Sequence, residues 1–328
     1  FYFRFQLFRL NIQETNESLY MKYHDVGSIL SVKIGKLSLR NPLMLASGVM
    51  GISQKIFERL YEEGIGGVVT KSISLLPRTG YENPTIVPLG HGSYLNAVGL
   101  TNPGAEAFSS EISSNRDVPI IVSLVGSSEE DFPQLVNYFD SLNIIGYEIN
   151  LSCPHVKKMG LDIGDDPEMV SKIVKAVKRC TRKPVIVKVG IGSADVVEIS
   201  RVAVKAGADI ITAINTIRAM TIEVDSMTPV LSNKIGGLSG AAIKPVGVRA
   251  VYEITKNINV PVIGCGGISS WRDVIEYMLA GASAVQFGSI LGKRDPNFFT
   301  KIAHNLMKYV QEKKSDNIME IIGLGCRS

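Results

Sequence analysis

Residues 184–215 read PVIVKVGIGSADVVEISRVAVKAGADIITAIN, and this stretch decides the fold. Two nearly continuous apolar runs, Pro184–Val189 and Asp209–Asn215, flank an amphipathic helical pattern over Ser193–Ala206. An apolar run that does not alternate suits a strand buried on both faces, and a helix between two such strands makes a parallel βαβ unit. The same alternation extends in both directions. Further runs lie at Leu43–Ala46, Gly67–Thr70, Pro119–Val125, Tyr147–Leu151, Val260–Cys265 and Ala284–Phe287. Helical patterns lie at Gln54–Glu63, Glu129–Leu142, Pro167–Cys180, Lys244–Lys256 and Ser270–Ala280. Eight strands in β-then-α order predict an α/β chain folded as a (β/α)8 TIM barrel; an open doubly wound sheet would use six or seven.

Val32–Ile34 and Leu37–Leu39 flank Gly35-Lys36 and predict an N-terminal hairpin that plugs the N-terminal end of the barrel. Two connections, Lys71–Val118 with a helix near Pro103–Ser114 and Thr216–Lys244, are too long for turns. Both follow strands, so both are insertions on the C-terminal face, where barrels carry their chemistry. No repeat, low-complexity tract or linker interrupts the chain. Residues 26–328 are read as one barrel domain and residues 1–25 as an N-terminal extension outside its core.

A chain of 328 residues that is 45% hydrophobic and 20% charged can bury a large core without disulfides or metals. The net charge of +4 is spread along the chain, with no basic stripe interleaved with aromatics, which argues against nucleic-acid binding. No two of the four cysteines (Cys153, Cys180, Cys265 and Cys326) lie within five residues of each other. That spacing excludes an iron–sulfur run, offers no metal site and argues against a disulfide framework. Cys180 and Cys265 read as small buried hydrophobes, and the whole pattern suits a reducing cytoplasm. Phe1–Leu10 carries Arg4 and Arg9, and no window is apolar enough to cross a bilayer, so no membrane partner is expected.

After the seventh run comes Gly264-Cys265-Gly266-Gly267-Ile268, then Ser269-Ser270 opening a helix; after the eighth comes Gly288-Ser289. Glycines admit close backbone approach, and loops after strands seven and eight often hold phosphate in barrels. The fourth run ends in Asn150-Leu151-Ser152-Cys153-Pro154-His155. By position alone, Cys153 is open to reading as a nucleophile, a general base, a metal ligand or an inert thiol. Lys71 ends the second run and Lys188 lies near the end of the fifth. A lysine in an apolar strand needs a partner, and two aimed at one mouth suit an anion or an electron-accepting ring. The same lysines also admit the Schiff-base chemistry of an aldolase or isomerase barrel. Asn215 offers an amide on the same face.

Several motifs follow one another in a telling order: Ala46-Ser47-Gly48, Thr70-Lys71-Ser72, Asn96-Ala97-Val98-Gly99-Leu100, Asn102-Pro103-Gly104, NLSCP at 150–154, Ile214-Asn215-Thr216, Gly236-Gly237-Leu238-Ser239-Gly240 and the two glycine loops. Over about residues 30 to 310 the chain resembles the class 1 dihydroorotate dehydrogenases. The resemblance implies FMN held by Ala46, Ser47, Gly48, Lys71, Ser72, Asn150, Lys188, Ile214, Gly240, Gly266, Gly267, Gly288 and Ser289, with Lys188 near the N1–C2=O edge. It implies dihydroorotate held by Lys71, Asn96, Ala97, Val98, Gly99, Leu100, Asn150, Asn215 and Thr216. Cys153 would be the general base that takes the C5 proton while hydride passes from C6 to flavin N5, giving orotate.

The loop Gly160–Pro167 resembles class 1B. That class implies a second subunit carrying FAD and a [2Fe-2S] cluster that reduces NAD, and hence a homo- or hetero-oligomer. The membrane-bound class 2 enzymes differ, with serine at the base position. The stretch after Pro154, with Gly160 and Gly164, would serve as a lid. Two positions depart from the family: His155 and Ser123 stand where Asn is common. NLSCPH also occurs in the pyrimidine-reducing domain of dihydropyrimidine dehydrogenase, which makes a uracil-type dehydrogenase the alternative. Asn96–Gly104 matches the dihydroorotate enzymes instead.

Overall fold

The computed structural model describes residues 29–115, 117–126, 128–151, 164–292, 294–295 and 297–327. The eight runs form eight strands: Leu43–Leu45, Gly67–Val69, Ile120–Leu124, Gly146–Asn150, Val185–Val189, Ile210–Ala213, Val262–Cys265 and Ala282–Phe287. We number them one to eight. Each pairs in parallel with its neighbours, and strand eight closes the barrel on strand one through Val285↔Leu43 and Phe287↔Leu45. Every residue of strands three, four and five is buried. This two-sided burial is why the runs do not alternate.

The helices follow their local signals. Pro167–Cys180 starts on Asp166, whose carboxylate accepts from the N–H groups of Glu168 and Met169, with Pro167 at a first-turn position. Val196–Ala206 starts on Asp195 in the same way and stops at Gly207, which takes a left-handed φ of 111°. Their buried stripes, such as Val170, Ile173, Val174 and Val177, belong to the main core. That stripe stops at Val177. Cys180, three residues on at the end of the helix, is exposed rather than buried as its sequence context predicts. The sequence pattern also gives no notice of Phe298–Glu312, the helix that follows strand eight.

The hairpin forms over the predicted residues, Val32–Ile34 with Leu37–Leu39. Its turn glycine, Gly35, lies against Pro261, Asp209 and Ile210, at the N-terminal ends of strands six and seven. The two long insertions join each other on the opposite face. Ile86–Gly90, Ser93–Asn96, Gly236–Gly240 and Ile217–Ala219 form a four-stranded antiparallel sheet, with Gly237 opposite Asn96. The extension 1–25 and the stretch 152–163, which includes Cys153 and His155, lie outside the described residues. Among those described, no helix is long and apolar enough to cross a membrane.

Candidate active site

The C-terminal mouth of the barrel and the insertion sheet enclose a cavity of about 570 Å³. All thirteen positions read as flavin contacts line it: Ala46, Ser47 and Gly48 after strand one, Lys71 and Ser72 after strand two, Asn150 from strand four, Lys188 from strand five, Ile214 after strand six, Gly240 from the insertion sheet, Gly266 and Gly267 after strand seven, and Gly288 and Ser289 after strand eight. Of the positions read as substrate contacts, Asn96, Val98, Gly99, Leu100, Asn215 and Thr216 line it with Lys71 and Asn150. Ala97 does not. The alternation of an insertion strand turns it the other way, into a small cluster with Leu95 and Leu231.

Strands seven, eight and one supply a glycine-rich sector. A Cβ at Gly288 would meet only Ala46 within 4 Å, and one at Gly48 would meet nothing. Gly267 has φ +68°, and a Cβ there would lie 2.7 Å from the Gly240 carbonyl oxygen and 3.0 Å from the Lys244 nitrogen. The loop after strand seven and the segment Gly240–Lys244 therefore meet at this point, and only a missing side chain lets them. The fully buried Tyr277 supports them from below, its hydroxyl donating to the Gly266 carbonyl at 2.7 Å and to the Cys265 carbonyl at 3.3 Å.

The helix that follows, Trp271–Leu279, is capped by itself: the N–H groups of Ser269 and Ser270 donate to Asp273 Oδ2, each at 2.9 Å. Burial works to raise the Asp273 carboxyl, but the Lys244 ammonium at 2.8 Å and the serine donors prevail and hold it below the usual range. An anion in this sector would therefore meet the loop upstream of the helix and the turn Ser289–Gly292, rather than the Ser269 and Ser270 amides.

Strands two to four supply hydroxyls and amides. Ser72 Oγ lies 3.2 Å from Ser47 Oγ and 3.0 Å from Ser123 Oγ, and it accepts from Asn150 Nδ2 at 2.9 Å. Asn150 Oδ1 accepts from Asn215 Nδ2 at 3.1 Å, and Asn215 Oδ1 from its neighbour's N–H at 2.8 Å. The side-chain amide of Asn150 is thus fixed from both ends. Ser123 is buried behind Ser72, off the cavity wall.

Two cations complete the wall. Burial pushes the half-buried Lys71 ammonium below its usual range. Lys188 is nearly enclosed, with its side chain 5% exposed and the carboxylate of the fully buried Glu148 at 3.9 Å. Cys265 also lines the cavity, and burial raises its thiol against the opposing pull of Lys188.

Sequence reasoning missed Ile86, Pro88 and Tyr94, which reach the cavity from the insertion sheet, and Ser239, Ile243 and Cys265. It also missed Glu148, although an acid inside the apolar run of strand four gives the same signal as the lysine in strand five.

A family model described as dihydroorotate dehydrogenase matches residues 29–310. The chain is 46% identical over 303 residues to the dihydroorotate dehydrogenase B (NAD(+)), catalytic subunit, of Pyrococcus horikoshii, an alignment that covers 92% of this chain and 99% of that one. It is 45% identical over 300 residues to the protein of the same name from Pyrococcus abyssi, covering 91% and 100%. With that of Methanocaldococcus jannaschii it shares 41% over 303 residues, covering 90% and 98%.

Proposed function

The chain belongs to the dihydroorotate dehydrogenase family, as an oxidoreductase that converts dihydroorotate to orotate in pyrimidine biosynthesis, and we propose that it works with bound FMN, with Cys153 as its base. One observation carries the flavin reading: the thirteen residues assigned to the flavin from the sequence line a single cavity. The fit holds on three counts. A volume of about 570 Å³ lies within the range of about 300–1,000 Å³ usual for cofactor sites. Gly48 and Gly288 leave open the space that side chains would fill. A nearly enclosed ammonium, Lys188, sits on the wall.

On this reading Gly240, Gly266, Gly267, Gly288 and Ser289 hold the phosphate end. Ala46, Ser47, Gly48, Ser72 and Ile214 line the ring. Bound FMN would supply the acceptor for the hydride leaving C6. Lys71 receives the carboxylate of dihydroorotate, and Asn96, Asn150, Asn215 and Thr216 orient its ring, with Asn150 fixed by Ser72 and Asn215. Val98, Gly99 and Leu100 close over it from the insertion. Cys153 takes the C5 proton as a thiolate.

The relatives' names include the words "catalytic subunit", which supports a second subunit here. That subunit would carry FAD and a [2Fe-2S] cluster and pass electrons to NAD in a hetero-oligomer, since the four cysteines of this chain have no cluster spacing. Cysteine usage supports a cytoplasmic setting.

Anaerobic titration of the purified protein tests the flavin and substrate assignments together. The protein is expected to be yellow and to bleach with dihydroorotate but not with dihydrouracil. A protein that FMN does not load refutes the flavin assignment, and bleaching by dihydrouracil alone refutes the substrate. Efficient reduction of NAD by this chain alone removes the partner.

A further inference from the structure

Behind Lys188 lies a carboxylate that the proposed reaction does not use. Glu148, in the middle of strand four, is fully buried and lies off the cavity wall. Its Oε2 accepts from Thr212 Oγ1 at 3.0 Å and from Gln286 Nε2 at 2.7 Å. Its Oε1 has no hydrogen-bond partner among the described residues and stands 3.9 Å from Lys188 Nζ. Lys188 Nζ in turn donates to Gln286 Oε1 at 3.4 Å. Strands four, five, six and eight each contribute one side chain to this polar unit.

A purely structural ion pair would close to a hydrogen-bonded contact of about 2.7–2.9 Å. An apolar pair of similar volume would often serve stability as well. Here both donors that fix the carboxylate engage one oxygen. The other faces the ammonium as a charge, beyond hydrogen-bond reach. Two opposite charges 3.9 Å apart in a water-poor interior govern each other's field at any third group nearby.

We infer that Glu148 is a positioning residue that tempers the charge Lys188 presents to the flavin, and so sets how readily the flavin takes up electrons. The inference rests on the FMN reading above. A hydride brings two electrons and one proton to the neutral oxidised ring, which leaves the reduced flavin with one negative charge. The Lys188 ammonium favours that anion. The buried carboxylate behind it offsets part of the effect, and without its charge reduction becomes easier.

The test compares flavin-loaded wild type with Glu148→Gln, a near-isosteric change that removes the charge. Each is equilibrated anaerobically with a reference dye at neutral pH and read by absorbance. The variant is expected to bind flavin and to shift the two-electron equilibrium toward the reduced form by tenfold or more, a potential about 30 mV more positive. Glu148→Asp keeps the counter-charge but withdraws it by one methylene. It is expected to shift the same way by less, and it carries the test if Glu148→Gln does not fold. An unchanged or more negative potential in a folded, flavin-loaded variant overturns the role of Glu148 alone. A wild type that takes up no FMN overturns the flavin reading and this inference with it.

Discussion

Titration of Lys71 separates a dihydroorotate site from one built for an uncharged pyrimidine. Burial holds its ammonium below the ordinary lysine value of 10.5. A ligand carboxylate placed against it restores the charged form. Between the lowered value of the free protein and the raised value of the complex, the complex holds one more proton than its separated parts. Orotate affinity is therefore flat below that window and falls, approaching tenfold per pH unit, as pH rises through it. The free protein has the opposite trend. Its unfolded chain keeps the Lys71 proton longer than the folded one, so Lys71 itself adds stability as pH rises from its lowered value to 10.5, and circular dichroism over the same range separates a fall in affinity from unfolding.

The size follows from charge and place. A pair at about 4 Å with an effective dielectric near 20 is worth about 4 kcal/mol. Halving this for a half-exposed wall leaves about 2 kcal/mol, or about thirtyfold in Kd. The assay follows the absorbance of FMN-loaded protein as orotate is added, from neutral pH to about 10.5, in wild type and Lys71→Met. The variant is expected to bind orotate about thirtyfold more weakly, with no alkaline limb, while uracil binding stays within about twofold. An alkaline limb that persists in Lys71→Met, or equal losses for orotate and uracil, refutes the reasoning.

Cys153→Ala is expected to retain flavin and its spectrum while turnover at neutral pH falls by about a hundredfold or more; wild-type turnover removes Cys153 from the mechanism. Tyr277→Phe strips the donor from the Gly266 and Cys265 carbonyls, so urea denaturation is expected to give a loss of about 1–3 kcal/mol, and an unchanged midpoint contradicts it. Gly267→Ala forces a side chain into a left-handed site already closed by the Gly240 carbonyl at 2.7 Å. The barrel is expected to keep its circular dichroism while FMN affinity, measured by fluorescence, drops at least about tenfold through a strain of about 1–2 kcal/mol and the displaced loop.

Much of the fold and of the site is legible in the sequence, for a physical reason. Strands buried on both faces write themselves as unbroken apolar runs, so every predicted run lies within two residues of an observed strand. Glycines at strand ends and lysines in apolar strands stand out against such a background. The insertion sheet does not stand out. Its strands are short, and Asn96 pairs with Gly237 across 141 positions of sequence, a contact with no local periodicity. Glu148 is visible as an acid in an apolar run, but its meaning depends on register. Asn150 lies opposite Lys188, which sets Glu148 one side-chain repeat away on the same face of the neighbouring strand. That register emerges only when the barrel closes.

The same closure gives the two lysines different work. Lys188 has its counter-charge built in, and the pair is neutral before any ligand arrives, which suits an uncharged oxidised ring. Among the described residues Lys71 has no such balance: burial bears on its charge, and relief comes with an incoming anion. On the proposed assignment a carboxylated pyrimidine recovers the cost of burying that ammonium, and an uncharged one leaves it in place. Discrimination between dihydroorotate and dihydrouracil then resides less in the shape of the mouth than in which of the two lysines, Lys71 and Lys188, is left without a counter-charge among the described residues.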